Sequence, residues 1–166
     1  MEPELKEEQY SNLTQDYSGL GGWLVLVQIG LYFSLINLLV QLYQYSIMTI
    51  SSDNWDVFTS KESEFYHPLW RPFLTFEIAY NILFILFIVY ILSRLYRKKS
   101  IVPRLMIISY IVTLVIGIID TALFNQIVSG MEDGISYKAT FKSLITCAIW
   151  IPYFLKSKRV KNTFVR

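Results

Sequence analysis

The chain has 166 residues, 54% hydrophobic and 17% charged, with a net charge of +2. Soluble domains carry roughly 25% charged residues; here the charges are few and sit between four apolar blocks, which excludes an ordinary soluble domain and a nucleic-acid-binding one. With one cysteine, Cys147, and one histidine, His67, an intrachain disulfide is impossible and a conventional zinc site is not expected.

Residues 1–18 hold Glu2, Glu4, Glu7, Glu8 and Asp16 against Lys6. They are too polar to bury and are expected to form a solvated tail. A cleavable signal would begin basic and then turn apolar, so none is expected. Gly19, Gly21 and Gly22 then precede Trp23, which suits an entry turn and an interfacial anchor.

The first span is expected over about 23–45, with helix possible to Ile50. Ser34, Asn37, Gln41 and Gln44 share one face of it. That face should look into the bundle, since polar groups facing lipid are costly. The connector Ser51–Pro72 is acidic and carries Trp55, Phe65, Tyr66 and Trp70, so it should lie along the membrane surface. The second span, about 73–95, is one apolar run interrupted by Glu77, with Asn81 one turn on. It ends in a basic turn with Arg94, Arg97, Lys98, Lys99 and Arg104.

The third span is expected over about 105–128, with Pro103 in its first turn. Ser109, Thr113, Gly117 and Thr121 form a small-residue stripe that lets membrane helices approach, bordered by Asp120 and Asn125. The sequence GMEDG at 130–134 reads as a tight turn. The fourth span, about 138–155, begins with Lys138 and Lys142 and should kink or end at Pro152. The tail carries Lys156, Lys158, Arg159, Lys161 and Arg166.

Lys and Arg thus gather in the 94–104 turn and in the tail, which puts both termini in the cytoplasm. A rise of about 1.5 Å per residue sets Asn37 roughly 20 Å from the inner entry of its span, and Asp120 at a similar height. Glu77, Asn81, Gln41 and Lys142 fall in the outer part of theirs. A charge inside a membrane segment costs at least about 2.5–3.5 kcal/mol on insertion scales. Glu77 and Asp120 should therefore be paired, protonated or hydrated, with Lys142 the obvious partner for one of them. The cluster is either a structural network that fixes helix register or a polar pocket for a lipid headgroup, ion or small ligand. The candidate ligand-binding residues are Glu77, Asn81, Asp120, Lys142, Asn37 and Gln41. The one histidine, His67, lies in the outer connector and not in the polar layer, so no catalytic residue is assigned. In the tail, Arg159, Lys161 and Phe164 are candidates for partner docking, because Phe164 adds an apolar handle that charge bias does not require.

Gly21-Gly22-Trp23-Leu24, Pro68-Leu69-Trp70, the Glu77–Asn81 pair, Pro103, Ile149-Trp150-Ile151-Pro152-Tyr153 and the segment Ser157 to Phe164 together resemble the bacterial DUF2569 membrane family. The resemblance runs from Gly21 to Phe164 and is most specific in the closing motif. It implies a small four-span bacterial inner-membrane protein and carries no established activity. The Lys142 position is often Arg in that pattern; Lys keeps the charge without the bidentate geometry.

The expectation is an all-α polytopic membrane protein, its four transmembrane helices packed as a bundle of two hairpins. Residues 1–18 are the acidic tail, 19–158 a single transmembrane domain and 159–166 a basic cytoplasmic tail. The leading functional reading is a non-enzymatic accessory or interaction subunit of a membrane assembly, including toxin immunity. The alternative is a small ligand-, lipid- or ion-binding or transport protein. The expected partners are the lipid bilayer and another membrane protein or a second copy, with no nucleic acid, metal or cofactor.

Overall fold

The structure is a computed structural model and describes residues 19–50, 52–128 and 138–165. The acidic tail and the GMEDG turn lie outside the described residues. Among these, the chain is helical with no strand: α1 Trp23–Ile50, α2 Ser52–Thr59, α3 Trp70–Tyr96, α4 Val102–Val128, α5 Lys138–Lys156 and α6 Lys158–Thr163. Helices are the natural answer to such a sequence, because lipid offers no partner for an open backbone donor or acceptor.

α1, α3 and α4 are long and apolar enough to cross a membrane. The fourth block does form a helix, α5, of 19 residues, but among the described residues three helices rather than four reach that standard. Lys138, Lys142, Lys156 and the threonines dilute its apolar run. Pro152 does not end it: the helix continues through the proline to Lys156, leaving the Ala148 carbonyl without its usual i+4 donor.

Helices α1 and α3 pack as one hairpin, α4 and α5 as a second, and α3 joins the two by packing on α4. The apolar core lies toward one end. It is built from the start of α1 (Leu24, Val27, Leu31), the last turns of α3 (Ile88, Ile91, Leu95), the first of α4 (Val102, Met106), Phe154 of α5, and Val160 and Phe164. Both described termini and the basic turn meet there.

Local chemistry shapes that end. The backbone reverses at Gly19 (φ +107°) and Gly22 (φ +59°), a conformation that L side chains rarely adopt. A Cβ on Gly22 would also collide with the Arg159 guanidinium. Gln28 Nε2 donates to the carbonyls of Leu20 at 2.9 Å and Leu24 at 3.2 Å, tying the entry turn to α1. α3 closes with Lys99 N–H on the Arg94 carbonyl at 3.1 Å and Lys98 N–H on that of Leu95 at 3.0 Å. This is a Schellman ending, with Lys98 at φ +51° where glycine is usual.

The basic tail, expected to stand apart from position 159, is instead folded back. Ser157 caps α6 by accepting from Val160 N–H at 3.4 Å. Thr163 Oγ1 accepts from Gly19 N–H at 3.0 Å and donates to the Gly19 carbonyl at 3.1 Å.

Backbone substitutions test this account. Gly22→Ala should lower unfolding stability by about 1–2 kcal/mol, the cost of a side chain in the left-handed region. Lys98→Gly should raise it by up to about 1 kcal/mol at the same kind of position. Thermal unfolding in detergent reads both; equal responses of one sign would contradict the backbone assignment.

Candidate functional site

The polar residues picked out by sequence occupy two separate places. In the first, α1 supplies Gln41 and Tyr45, α3 supplies Phe73 and Glu77, and α4 supplies Asp120, Thr121, Phe124 and Asn125. Together they line an open cavity of about 410 Å³. Spacing explains the set: Gln41/Tyr45, Phe73/Glu77 and Asp120/Phe124 are i, i+4 pairs, each on one helix face.

Glu77 is 5% exposed and Asn81, one turn toward the core, is 0% exposed. Asn81 Nδ2 donates to the Glu77 backbone carbonyl at 2.9 Å and to its carboxyl Oε2 at 3.4 Å. The Glu77 and Asp120 carboxyls lie within hydrogen-bond reach of each other. Two carboxylates offer acceptors only, so this approach becomes a bond when one carboxyl holds a proton. Asp120 Oδ1, Asn125 Oδ1 and Asn81 Oδ1 are buried without a hydrogen-bond partner. Each is an acceptor, and none of the described lining residues is Lys or Arg.

Aromatic rings wall this cavity and tie it to the connector. Trp70 packs on Phe73 and Phe124 with ring centroids 6.2 and 6.5 Å away, and on Phe58 of α2 at 4.9 Å. The connector helix α2 is thus fastened beside the cavity through Trp70, one of the connector aromatics that the sequence singled out.

Lys142, expected as the partner of Glu77 or Asp120, is not there. It lines a second cleft, of about 480 Å³, together with Asn37, Ser34, Ser109 and Thr113. The reason is rotational: Thr140 of α5 meets α4 through Thr121 (hydroxyls 2.9 Å apart) and the Gly117 carbonyl (3.4 Å), and Cys147 Sγ donates to the Tyr110 carbonyl at 3.3 Å. Lys142 sits half a turn from Thr140 and is exposed. The polar face of α1 divides in the same way. Ser34 and Asn37 border the second cleft, Gln41 the first, and Gln44 is exposed and lines neither.

The small-residue stripe of α4 does meet α5, through Gly117 and Thr121. A Cβ on Gly117 would meet nothing within 4 Å; at that position it is the Gly117 carbonyl and the Thr121 hydroxyl that meet α5. Of the docking candidates, Phe164 is 5% exposed and part of the core, and Arg159 lies against Gly21 and Gly22. Lys161 alone is exposed.

Sequence reasoning missed Tyr45, Phe73 and Phe124 as lining residues. Applying the i, i+4 rule outward from Gln41, Glu77 and Asp120 finds all of them. It had no signal for Gly30, Trp150 or Cys147, which line the second cleft.

The site predicts unequal costs. Asp120→Asn keeps a group that can bond Glu77 and should leave unfolding stability within about 1 kcal/mol. Asn81→Leu strips Glu77 of its buried donor and should cost about 1–3 kcal/mol. A costlier Asp120→Asn in thermal unfolding would mean that the carboxyl pair fixes helix register.

A family model described as "Protein of unknown function (DUF2569)" matches residues 17–165. "Inner membrane protein YdgK" of Escherichia coli (strain K12) is 26% identical over 152 residues, covering 88% of this chain and 93% of that protein. No solved structure matches. With several apolar helices of membrane-spanning length, the match identifies a multi-pass protein of the bacterial inner membrane.

Proposed function

The chain belongs to the DUF2569 family, whose description carries no activity, and we propose from its geometry that it binds a small organic cation at the outer end of a four-span bundle. The observation that carries this reading is the Glu77–Asp120 carboxyl pair, which lines a cavity without a basic residue among the described ones. A buried carboxyl pair needs a proton, water or a cation to offset its desolvation. Tyr45, Phe73 and Phe124 add aromatic surface, which attracts alkylammonium groups electrostatically. The cavity has a donor to orient a ligand in the Gln41 amide, and unsatisfied acceptors in Asp120 and Asn125. The chemistry is recognition rather than catalysis, with no nucleophile–base pair in the set.

Four spans and cytoplasmic termini belong to the same proposal. At about 1.5 Å per residue, the 19 residues of α5 reach about 28 Å, close to the roughly 30 Å of a bilayer core. Its lysines lie toward its ends, where they reach the interface. Arg97, Lys98 and Lys99 of the turn and Lys158 and Lys161 of α6 cluster at the end where the described termini meet, as cytoplasmic ends do.

The accessory-subunit reading retains one supporting observation. Lys158, Lys161 and Asn162 leave an exposed basic and polar face on α6, suited to an acidic partner in the cytoplasm. Its apolar handle, Phe164, is used inside the chain.

Choline and ethanolamine titrated onto the purified full chain should raise its melting temperature saturably. Glu77→Gln and Asp120→Asn should weaken that binding at least tenfold, about 1.4 kcal/mol, with helical content unchanged by circular dichroism. Binding by the wild type that both variants leave intact would reject the carboxyl pair as the site, and no binding of either amine would reject the proposal.

Topology has its own check in a Cys147→Ala background. Glu62→Cys should react with a membrane-impermeant thiol reagent added outside spheroplasts, and Lys161→Cys should react only after lysis. The reverse pattern would invert the orientation.

A further inference from the structure

The second cleft has a different chemistry from the carboxyl cavity. α1 packs on α3, and α5 on α4, but α1 and α5 are not a packed pair. Between them runs a slot whose floor is Phe84 and Ile88 of α3 and Met106 and Tyr110 of α4. Its walls at the core end are apolar, with Leu26 and Val27 on one side and Trp150 on the other. At its outer rim stand Asn37, Ser143 and Lys142.

Three features define an occupant. From Leu26 to Asn37 the slot extends about 16 Å at 1.5 Å per residue, half of a bilayer core of roughly 30 Å. That is the depth of one leaflet. Gly30 lies on its wall and faces open space, since an added Cβ there would meet nothing within 4 Å. Among the described lining residues Lys142 is the one formal charge, and its side chain is exposed at the rim. The Ser109, Thr113 and Thr146 hydroxyls along it donate to backbone carbonyls of their own helices, so a mainly apolar trough about as long as one leaflet is deep, with an ammonium group at its rim, is complementary to a single amphiphile with an anionic head.

We propose that the slot between α1 and α5 holds an acyl chain of an anionic phospholipid, with Lys142 meeting its phosphate. Lys142 stands near the end of α5, where its ammonium can reach the interface; a phosphate at the rim supplies the counter-charge there. Asn37 and Ser143 supply donors to the same headgroup. The proposal concerns a site separate from the carboxyl cavity and stands without it.

The test is native mass spectrometry of the delipidated full chain, titrated with phosphatidylglycerol or with phosphatidylcholine of identical acyl chains. The wild type should bind one phosphatidylglycerol at least tenfold more tightly than phosphatidylcholine. Lys142→Gln should bring the two lipids within twofold of each other, and Lys142→Arg should restore the preference. Gly30→Leu, which fills open space, should weaken both lipids at least tenfold while the melting temperature of the lipid-free protein stays within a few degrees of wild type. Glu77→Gln should leave the preference unchanged, which separates this site from the cation cavity. Equal binding of the two lipids by the wild type would overturn the proposal, as would an undiminished preference in Lys142→Gln. A second copy of the chain that is retained in wild type and lost in Gly30→Leu would overturn it too, by making the slot a dimer interface.

Discussion

Thr163 Oγ1 both accepts from and donates to the backbone of Gly19, and this two-way bond closes the end of the molecule where its described termini meet. Around it Leu24, Ile91, Leu95, Val102, Met106 and Val160 are fully buried. Lipid is as apolar as leucine, so no hydrophobic force draws membrane helices together. Tight packing and hydrogen bonds must do so, and here they are concentrated at one end. Arg159 needs the bare backbone of Gly22 to lie where it does, so the glycine-rich entry and the closing basic motif belong to a single clasp.

Holding a bundle at one end leaves the other free to diverge. Away from the clasp, α1 and α5 part and open the slot, while α1, α3 and α4 enclose the carboxyl cavity. The two spaces sort opposite charges. Glu77 and Asp120 share one, Lys142 borders the other, and the packing of α5 on α4 through Thr140 and Cys147 keeps them apart. Had Lys142 reached Glu77, the result would be an internal ion pair with little left to offer a ligand. Acidic and basic groups that do not neutralise each other leave each space with a charge of its own, which is what the two proposals rest on.

Much of this was legible early. The helix over 23–50 and those over 70–96 and 102–128 follow from apolar length, and Pro103 sits in the first turn of its helix as its geometry requires. The depth argument placed Gln41, Glu77 and Asp120 in one layer, and they do line one cavity. The same argument failed for Lys142 and Asn37. Height along a helix follows from counting residues; rotation about its axis does not. Phe164 was misjudged for a related reason: a short amphipathic segment after a membrane helix has the same sequence whether its apolar side meets a partner or its own chain.

The sequence by itself determined the helical class, the approximate extent of the long helices, the residence in a membrane and the layer of polar groups. A bilayer responds to apolar length and to charge at the ends, and both are written along the chain. The tertiary structure alone decided which polar groups meet, which helices separate and where the tail goes. In a soluble helix an apolar stripe marks the buried face. Here lipid-facing and core-facing sides are almost equally apolar, so no periodic pattern records the rotation of each helix. Shape, the few hydroxyl bonds between helices and the clasp at Gly19 set it.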